Sequence, residues 1–354
     1  MSINFGTSVS LKQAASLITI SPELRYFLQG EPGIGKSSIM KVIGNSKPDH
    51  FKSYMDCSQL DLGDIAMPIA NRDKGITEYF PNGRFGMHTG KPVLMMLDEF
   101  TKAPEPVKNM LHPLLESSNP RLGDTSVHPE SIIFLTGNLS SDGVGDVLKA
   151  HTRNRIIPLH VRKPSSEEWL EWAVNNDIEP VVMSWVHQFP HALASYTDEG
   201  QEGNPYIFNP KKVQTAFVSP RSLERASHVL KGRDHIDQES LIAALTGAIG
   251  EAGARDMQAY VEYQDQLPTW ESITKSPETA DVPTSAGACA VLVFGAITKI
   301  DKQNISAFMK YLDRFDAEWQ ACFCINIAKN PQKQSVAFSS SAFADWVQKN
   351  EDLL

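Results

Sequence analysis

At 354 residues the chain has the length of about two domains. Its 41% hydrophobic content suffices for a sizeable core, and with 21% charged residues the composition is that of a globular protein, which excludes a disordered chain. Lys and Arg number 33 against 42 Asp and Glu, a net charge of −9, which argues against a protein whose main task is to coat nucleic acid but allows a local basic stripe.

The first ten residues, Met1–Ser10, lack the basic start and apolar run of a signal peptide, so none is read. Short apolar runs then recur between helical patterns: Arg25–Gln29, Val93–Leu97, Ile132–Leu135 and Ile156–Val161, with Phe51–Asp56 as a fifth, half-polar candidate. This spacing predicts an α/β fold, a parallel sheet covered by helices on both faces. The most apolar runs, Val93–Leu97 and Ile132–Leu135, belong at its centre. Pro158 has no N–H to give to a ladder, which puts Ile156–Val161 at one edge, and Phe51–Asp56 belongs at the other. Pro104 and Pro106 suit the first turn of a helix that continues through Val107, Met110, Leu111, Leu114 and Leu115, with a kink expected at Pro113.

After Arg162 the character changes, so 1–162 is read as the α/β domain and 163–354 as a helical region. Ser165–Glu168 is a helix-start signal, and Trp169, Trp172 and Ala173 share one face of the helix it opens, with both tryptophans read as core. Helical patterns cover about 166–189, 219–231, 237–263, 285–298 and 303–325, and Tyr196–Lys212, rich in Gly, Asn and Pro, reads as a loop. The longest uncharged stretch, Val282–Thr298, contains Pro283 and is shorter than the roughly 20 apolar residues of a membrane span. Cys57, Cys289, Cys322 and Cys324 lack metal-site spacing and read mainly as buried free thiols, which fits a reducing compartment. A cytoplasmic protein without a membrane segment is the expectation.

Three segments carry chemistry. Gly30-Glu31-Pro32-Gly33-Ile34-Gly35-Lys36-Ser37 fits G-x-x-x-x-G-K-[ST], after a predicted strand and before a helix-forming run that opens at Ser38. Glycines let successive backbone N–H groups curl around phosphate oxygens, and the helix aims its positive end at them. Lys36 would reach the β and γ phosphates, and the Ser37 hydroxyl would ligate Mg2+. Val93–Leu97 runs into Asp98 and Glu99: Asp98 would hold Mg2+ through water, and Glu99 would orient and deprotonate an attacking water. Ile132–Leu135 runs into Thr136-Gly137-Asn138, which sets the Asn138 amide to hydrogen-bond that water or the γ phosphate. Neither H-E-x-x-H nor G-x-S-x-G occurs.

Together these motifs resemble those of the AAA+ ATPases, and more closely the MoxR family within them. The resemblance spans about residues 8–260 and draws also on Phe100–Leu111, Leu135–Asn138, Trp169–Ala173, Ile178–Pro180 and Ser219-Pro220-Arg221-Ser222. It implies an α/β nucleotide domain with a five-stranded parallel sheet in the order 5-1-4-3-2, followed by a helical lid. It implies that Asn138 is the sensor 1 residue and Arg221 the sensor 2 residue, reaching from the lid to the γ phosphate. The segment His151–Arg155 would carry the arginine finger offered to a neighbouring subunit, Arg155 or, close behind it, Arg153. Residues 66–90 occupy the region of a central-pore insertion and 117–131 that of a pre-sensor hairpin. Tyr79, Phe80 and Phe85 would either grip a client chain in the pore or pack locally.

The function expected from the resemblance is Mg2+-dependent ATP hydrolysis by a homo-oligomeric ring, taken as a hexamer, that remodels a protein client. A von Willebrand factor A domain partner is expected on a separate polypeptide. One alternative is a nucleic-acid-directed AAA+ motor or loader, disfavoured by the few, acid-interspersed Lys and Arg of 66–131. The other is a binding module that ATP controls with negligible turnover, disfavoured by the full set of Lys36, Asp98, Glu99 and Asn138.

Overall fold

The computed structural model describes residues 7–139 and 148–353, and the chain divides into two compact units, Met1–Lys163 and Pro164–Leu354. The strands of the first unit are β1 (Ser8–Val9), β2 (Tyr26–Gln29), β3 (Phe51–Asp56), β4 (Ala66–Asn71), β5 (Ile76–Pro81), β6 (Val93–Asp98), β7 (Arg121–Leu122), β8 (Thr125–Ser126), β9 (Ile132–Gly137) and β10 (Ile157–Val161). Its helices are α1 (Leu11–Ile20), α2 (Ser38–Ser46), α3 (Glu105–Leu111) and α4 (Ala150–Arg153).

Six strands form one parallel sheet in the order β1-β10-β2-β9-β6-β3, which corrects the expected five-stranded sheet. The five expected strands are there, but β10 is not an edge, because Ser8–Val9 pairs outside it. Pro158 is nevertheless accommodated. The Ile157 N–H donates to Arg25 O on the β2 side, so by strand alternation the Pro158 nitrogen points outward. The short β1 meets only His160 and Val161 and never reaches it.

Strand alternation sorts the first unit's core into two layers. Val93, Met95, Leu97, Ile133 and Leu135 bury against Val107 and Leu111 of α3, whereas Leu94, Met96, Ile132 and Phe134 bury against Ile39 and Ile43 of α2 and Ala14 and Ile18 of α1. A strand covered on both faces has no polar side, which is why these runs are continuously apolar. Pro113 does not kink α3. The helix ends at Leu111, and the chain tightens into a 3-10 turn, His112–Leu115, in which an early proline needs no N–H partner.

The segments on either side of β6 form two antiparallel hairpins, β4–β5 and β7–β8. Tyr79 and Phe80 are each 46% exposed, while Phe85 is fully buried in the layer of α3. The two hairpins are clasped: the Asp124 N–H donates to Tyr79 O at 3.0 Å, and the Tyr79 N–H donates to Asp124 Oδ2 at 2.7 Å. Gly123, at φ 56, makes the clasp possible, since a Cβ there would lie 2.4 Å from Tyr79 O. Gly123→Ala combines left-handed strain with a backbone clash. We expect a loss of about 2 kcal/mol in urea unfolding.

The second unit is helical: α5 (Ser166–Val174), α6 (Pro180–Gln188), α7 (Pro220–Lys231), α8 (Gln238–Asp265), α9 (Trp270–Lys275), α10 (Ala286–Lys299), α11 (Ile305–Leu312), α12 (Ala317–Lys329), α13 (Gln334–Ala337) and α14 (Ser341–Lys349). The expected run 166–189 is broken where Asp177 takes a left-handed φ of 54 and Pro180 starts a new helix. The run 303–325 is broken at Asp313–Asp316, and the run 237–263 at Gly250, whose φ of 82 interrupts α8. Trp169 is buried, but Trp172 is 38% exposed and not core. The uncharged stretch becomes α10, whose residues Ala288–Ile297 are all buried inside the unit. Among the described residues no helix is long and apolar enough to cross a membrane. All four cysteines are free; Cys322 is only half-buried by exposed area, yet its thiol, like that of Cys324, is pushed up to about 12 by burial.

His187 of α6 gives this unit an acid-sensitive point. Its ring lies 5.7 Å from both Phe294 and Trp319, and its Nδ1 is buried without a hydrogen-bond partner among the described residues. Burial lowers its pKa, and the opposing charge of Glu318 is the smaller influence. The unfolded chain takes up this proton near pH 6.5, whereas the folded chain resists it until lower pH. Stability from this site is therefore present above about pH 6.5 and lost as pH falls towards the folded pKa. Urea unfolding at pH 7.5 and 5.5 should show a smaller acid loss in His187→Phe than in the wild type.

Candidate active site

The polar residues singled out in the first unit gather at the carboxyl ends of β2, β6 and β9, where an open parallel sheet places ligands. The loop Gly30–Ser37 leaves β2 and enters α2 at Ser38. Gly33 (φ 76) and Gly35 (φ 102) take backbone conformations open chiefly to glycine, and the buried Ile34 anchors the loop in the layer beneath α2. Lys36 is buried and folds back across the loop: its Nζ donates to Gly30 O at 2.6 Å, Glu31 O at 2.9 Å and Asn138 Oδ1 at 3.2 Å. Ser37 is the N-cap of α2 but makes no side-chain capping hydrogen bond, whereas the Ser38 hydroxyl donates to Gly35 O at 2.7 Å.

At the end of β6 the chain turns at Glu99, whose φ of 50 and ψ of 38 are left-handed. For a residue with a Cβ that conformation costs about 1–2 kcal/mol. It separates the two acids. Asp98 accepts from the Thr136 hydroxyl at Oδ1 and from the Tyr54 hydroxyl at Oδ2, the latter at 2.7 Å. Glu99 instead accepts from Asn138 Nδ2, at 3.2 Å on Oε1 and 3.4 Å on Oε2, and pairs with Lys102 Nζ at 3.0 Å. Asn138 thus joins the lysine to the acid. Its carbonyl oxygen faces the ammonium and its NH2 faces the carboxylate, the only orientation that suits both partners.

The groups gathered here could serve phosphoryl transfer to water: a glycine loop and lysine able to meet phosphates, a carboxylate able to take a proton, and an amide hydrogen-bonded to both lysine and carboxylate. The donor types also fit Mg2+, which prefers oxygen, keeps several waters and binds through one or two protein groups plus substrate phosphates. Here those groups would be the Ser37 hydroxyl and the Asp98 carboxylate. Among the described residues no group of three or more His, Cys, Asp or Glu could form an all-protein metal cage.

The structure therefore brings together Gly30, Glu31, Pro32, Gly33, Ile34, Gly35, Lys36, Ser37, Ser38, Asp98, Glu99 and Asn138. The arginines are placed differently. Arg155 Nε donates to Glu116 Oε1 at 2.6 Å and its guanidinium also donates to His151 O at 2.9 Å, while Arg153 is exposed at the end of α4. Arg221 belongs to the second unit, exposed at the second position of α7, where a cation meets the unfavourable end of the helix dipole. Three partners were not read from the sequence. Thr136 lies two residues before Asn138, on the face of β9 that neighbours Asp98, so strand alternation could have found it. Lys102 stands three residues after Glu99, a helical spacing hidden by the turn. Tyr54 becomes a neighbour of Asp98 only through the register of β3 against β6.

No family model matches the chain, and no curated protein matches it. Solved structures similar to it include a candidate ATPase from Cytophaga hutchinsonii, at 16% identity over 69% of this chain and 82% of that one, with a TM-score of 0.34. Another is NtrX from Brucella abortus in complex with ADP, at 13% identity over 97% and 67%, with a TM-score of 0.40. A third is Hsp104 with ATPγS and FITC casein, at 18% identity over 49% and 36%, with a TM-score of 0.35. At such identities and scores the reading of the site rests on its own geometry.

Proposed function

We propose that the chain is a Mg2+-dependent ATPase of the AAA+ type, MoxR-like in its motifs. The observation that carries this reading is the hydrogen-bonded line Lys36–Asn138–Glu99 across the tips of β2, β9 and β6, with Asp98 beside it. The loop Gly30–Ser37 would wrap the phosphates, and Lys36 would turn from the loop carbonyls to the β and γ oxygens. Ser37 and Asp98 would hold Mg2+, which supplies charge neutralisation on the phosphates. Glu99 would orient the attacking water and take its proton, and Asn138 would fix the distance between that water and the γ phosphate.

In this reading the unit 1–162 is the nucleotide domain and 163–354 the helical lid and its extension, with Arg221 as the lid residue that responds to the γ phosphate. The protein works as a ring, taken as a hexamer, and the finger crosses to the neighbouring site. The exposure of Arg153 favours it over Arg155, which Glu116 already holds. The exposure of Tyr79 and Phe80 supports a role for the β4–β5 hairpin in gripping a client, a role closed to the buried Phe85. A separate von Willebrand factor A domain protein is the partner expected from the MoxR likeness.

Phosphate release from ATP with and without Mg2+, together with the mass in solution, tests the reading. Mg2+-dependent turnover by a nucleotide-dependent ring supports it. ATP binding without turnover, in a chain that stays monomeric, would replace it with a nucleotide-controlled binding module.

A further inference from the structure

We infer that Tyr54 is a positioning residue for the Asp98 carboxylate and, through it, for the Mg2+ of the nucleotide complex; the inference rests on the ATPase reading. β3 and β6 run parallel in register, with Tyr54 beside Met96 and Asp56 beside Asp98. Registered residues on neighbouring strands point to one face, so Tyr54, Met96 and Asp98 share the face that α2 covers. Ser37, whose hydroxyl would ligate Mg2+ in the proposal, caps that same helix.

From its own position the Tyr54 side chain must advance two residues along the sheet, about 6.6 Å at roughly 3.3 Å per residue. A tyrosine side chain spans that distance, and its hydroxyl donates to Asp98 Oδ2 at 2.7 Å. From the strand on the opposite flank of β6, the Thr136 hydroxyl donates to Oδ1. The carboxylate is thus gripped from both neighbouring strands, one donor to each oxygen. Each oxygen keeps acceptor capacity for a metal-bound water. Asp56, the other acid at this edge, gives its Oδ1 to the Ser58 N–H and hydroxyl.

The two grips differ in kind. Thr136 is fully buried, so packing alone would hold its side chain. Tyr54 lies on the edge strand and is 51% exposed, and its hydroxyl holds Asp98 Oδ2. Hydrogen-bond partners of metal-ligating groups set the orientation of those groups, and losing one typically weakens metal affinity by roughly 10–100-fold.

Tyr54→Phe keeps the ring and removes the hydroxyl. Binding of a non-hydrolysable ATP analogue is measured in EDTA and across a Mg2+ titration, alongside the thermal midpoint. The expected result is unchanged affinity in EDTA, an unchanged midpoint, and a roughly tenfold rise in the Mg2+ concentration for half of the magnesium effect. An unchanged Mg2+ titration overturns the inference, and so does an equal loss of affinity with and without Mg2+, which a merely structural role would produce. A wild type that binds the analogue in neither condition overturns the ATPase reading and this inference together. Mg2+-dependent binding by the wild type with an unaltered variant overturns this inference alone.

Discussion

Glu99→Gln is expected to lower ATP turnover by roughly 10²–10⁴-fold, the usual worth of a positioned general base, while ATP affinity stays within a few fold. The substitution is close to isosteric. The glutamine carbonyl can still accept from Asn138 Nδ2, so the Asn138 amide keeps its place between Lys36 and position 99. The ion pair with Lys102 is lost, but its side chains are 31% and 26% exposed, and a solvent-screened pair contributes about 1 kcal/mol or less. The left-handed backbone at 99 is as strained for Gln as for Glu, so the folded state is not penalised afresh. Binding and chemistry should therefore separate: analogue affinity would report the loop Gly30–Ser37, and phosphate release would report Glu99. Turnover at the wild-type rate in this variant would remove Glu99 from the mechanism. Attention would then pass to Asp98, the other carboxylate at this tip.

Legibility in the chain divides by the range of the forces involved. The loop Gly30–Ser37 and the strands that lead into Asp98 and Asn138 are legible because each is a local pattern, a turn that needs glycine or a run apolar on both sides. Ser8–Val9 is not, since two residues show no periodicity and their pairing with His160 and Val161 is a tertiary event. The breaks at Asp177 and Asp313 escape a periodicity reading because the apolar spacing resumes after each of them, although Pro180 marks the first. Phe85 cannot be told from Tyr79 and Phe80 by type, as only packing against the layer of α3 decides which aromatic is covered. Within the site, the residues in contiguous motifs are readable, whereas Tyr54 and Lys102 depend on a strand register and a tight turn that the motifs do not encode.

Lys36→Met should abolish useful nucleotide binding by a route that leaves the acid side of the site standing. Methionine keeps the unbranched stem of the lysine as far as Cε and suits a buried position, so it removes the ammonium and little else. The ammonium donates to Gly30 O, Glu31 O and Asn138 Oδ1, and in the nucleotide complex some of these bonds would be exchanged for phosphate oxygens. Charge-assisted hydrogen bonds contribute about 1.5–3 kcal/mol each, so losing two phosphate contacts costs roughly 3 kcal/mol or more, about 100-fold in affinity. The Asn138–Glu99 hydrogen bonds need no lysine and should persist. Lys36→Met is thus expected to fail at binding where Glu99→Gln fails at chemistry, and calorimetric titration with ATP separates the two. ATP bound by Lys36→Met with wild-type affinity would mean that the lysine only braces the loop through the Gly30 and Glu31 carbonyls. The carbonyls lose their donor and the unfolding midpoint falls in either case, so the nucleotide affinity is the readout that separates a phosphate ligand from a brace.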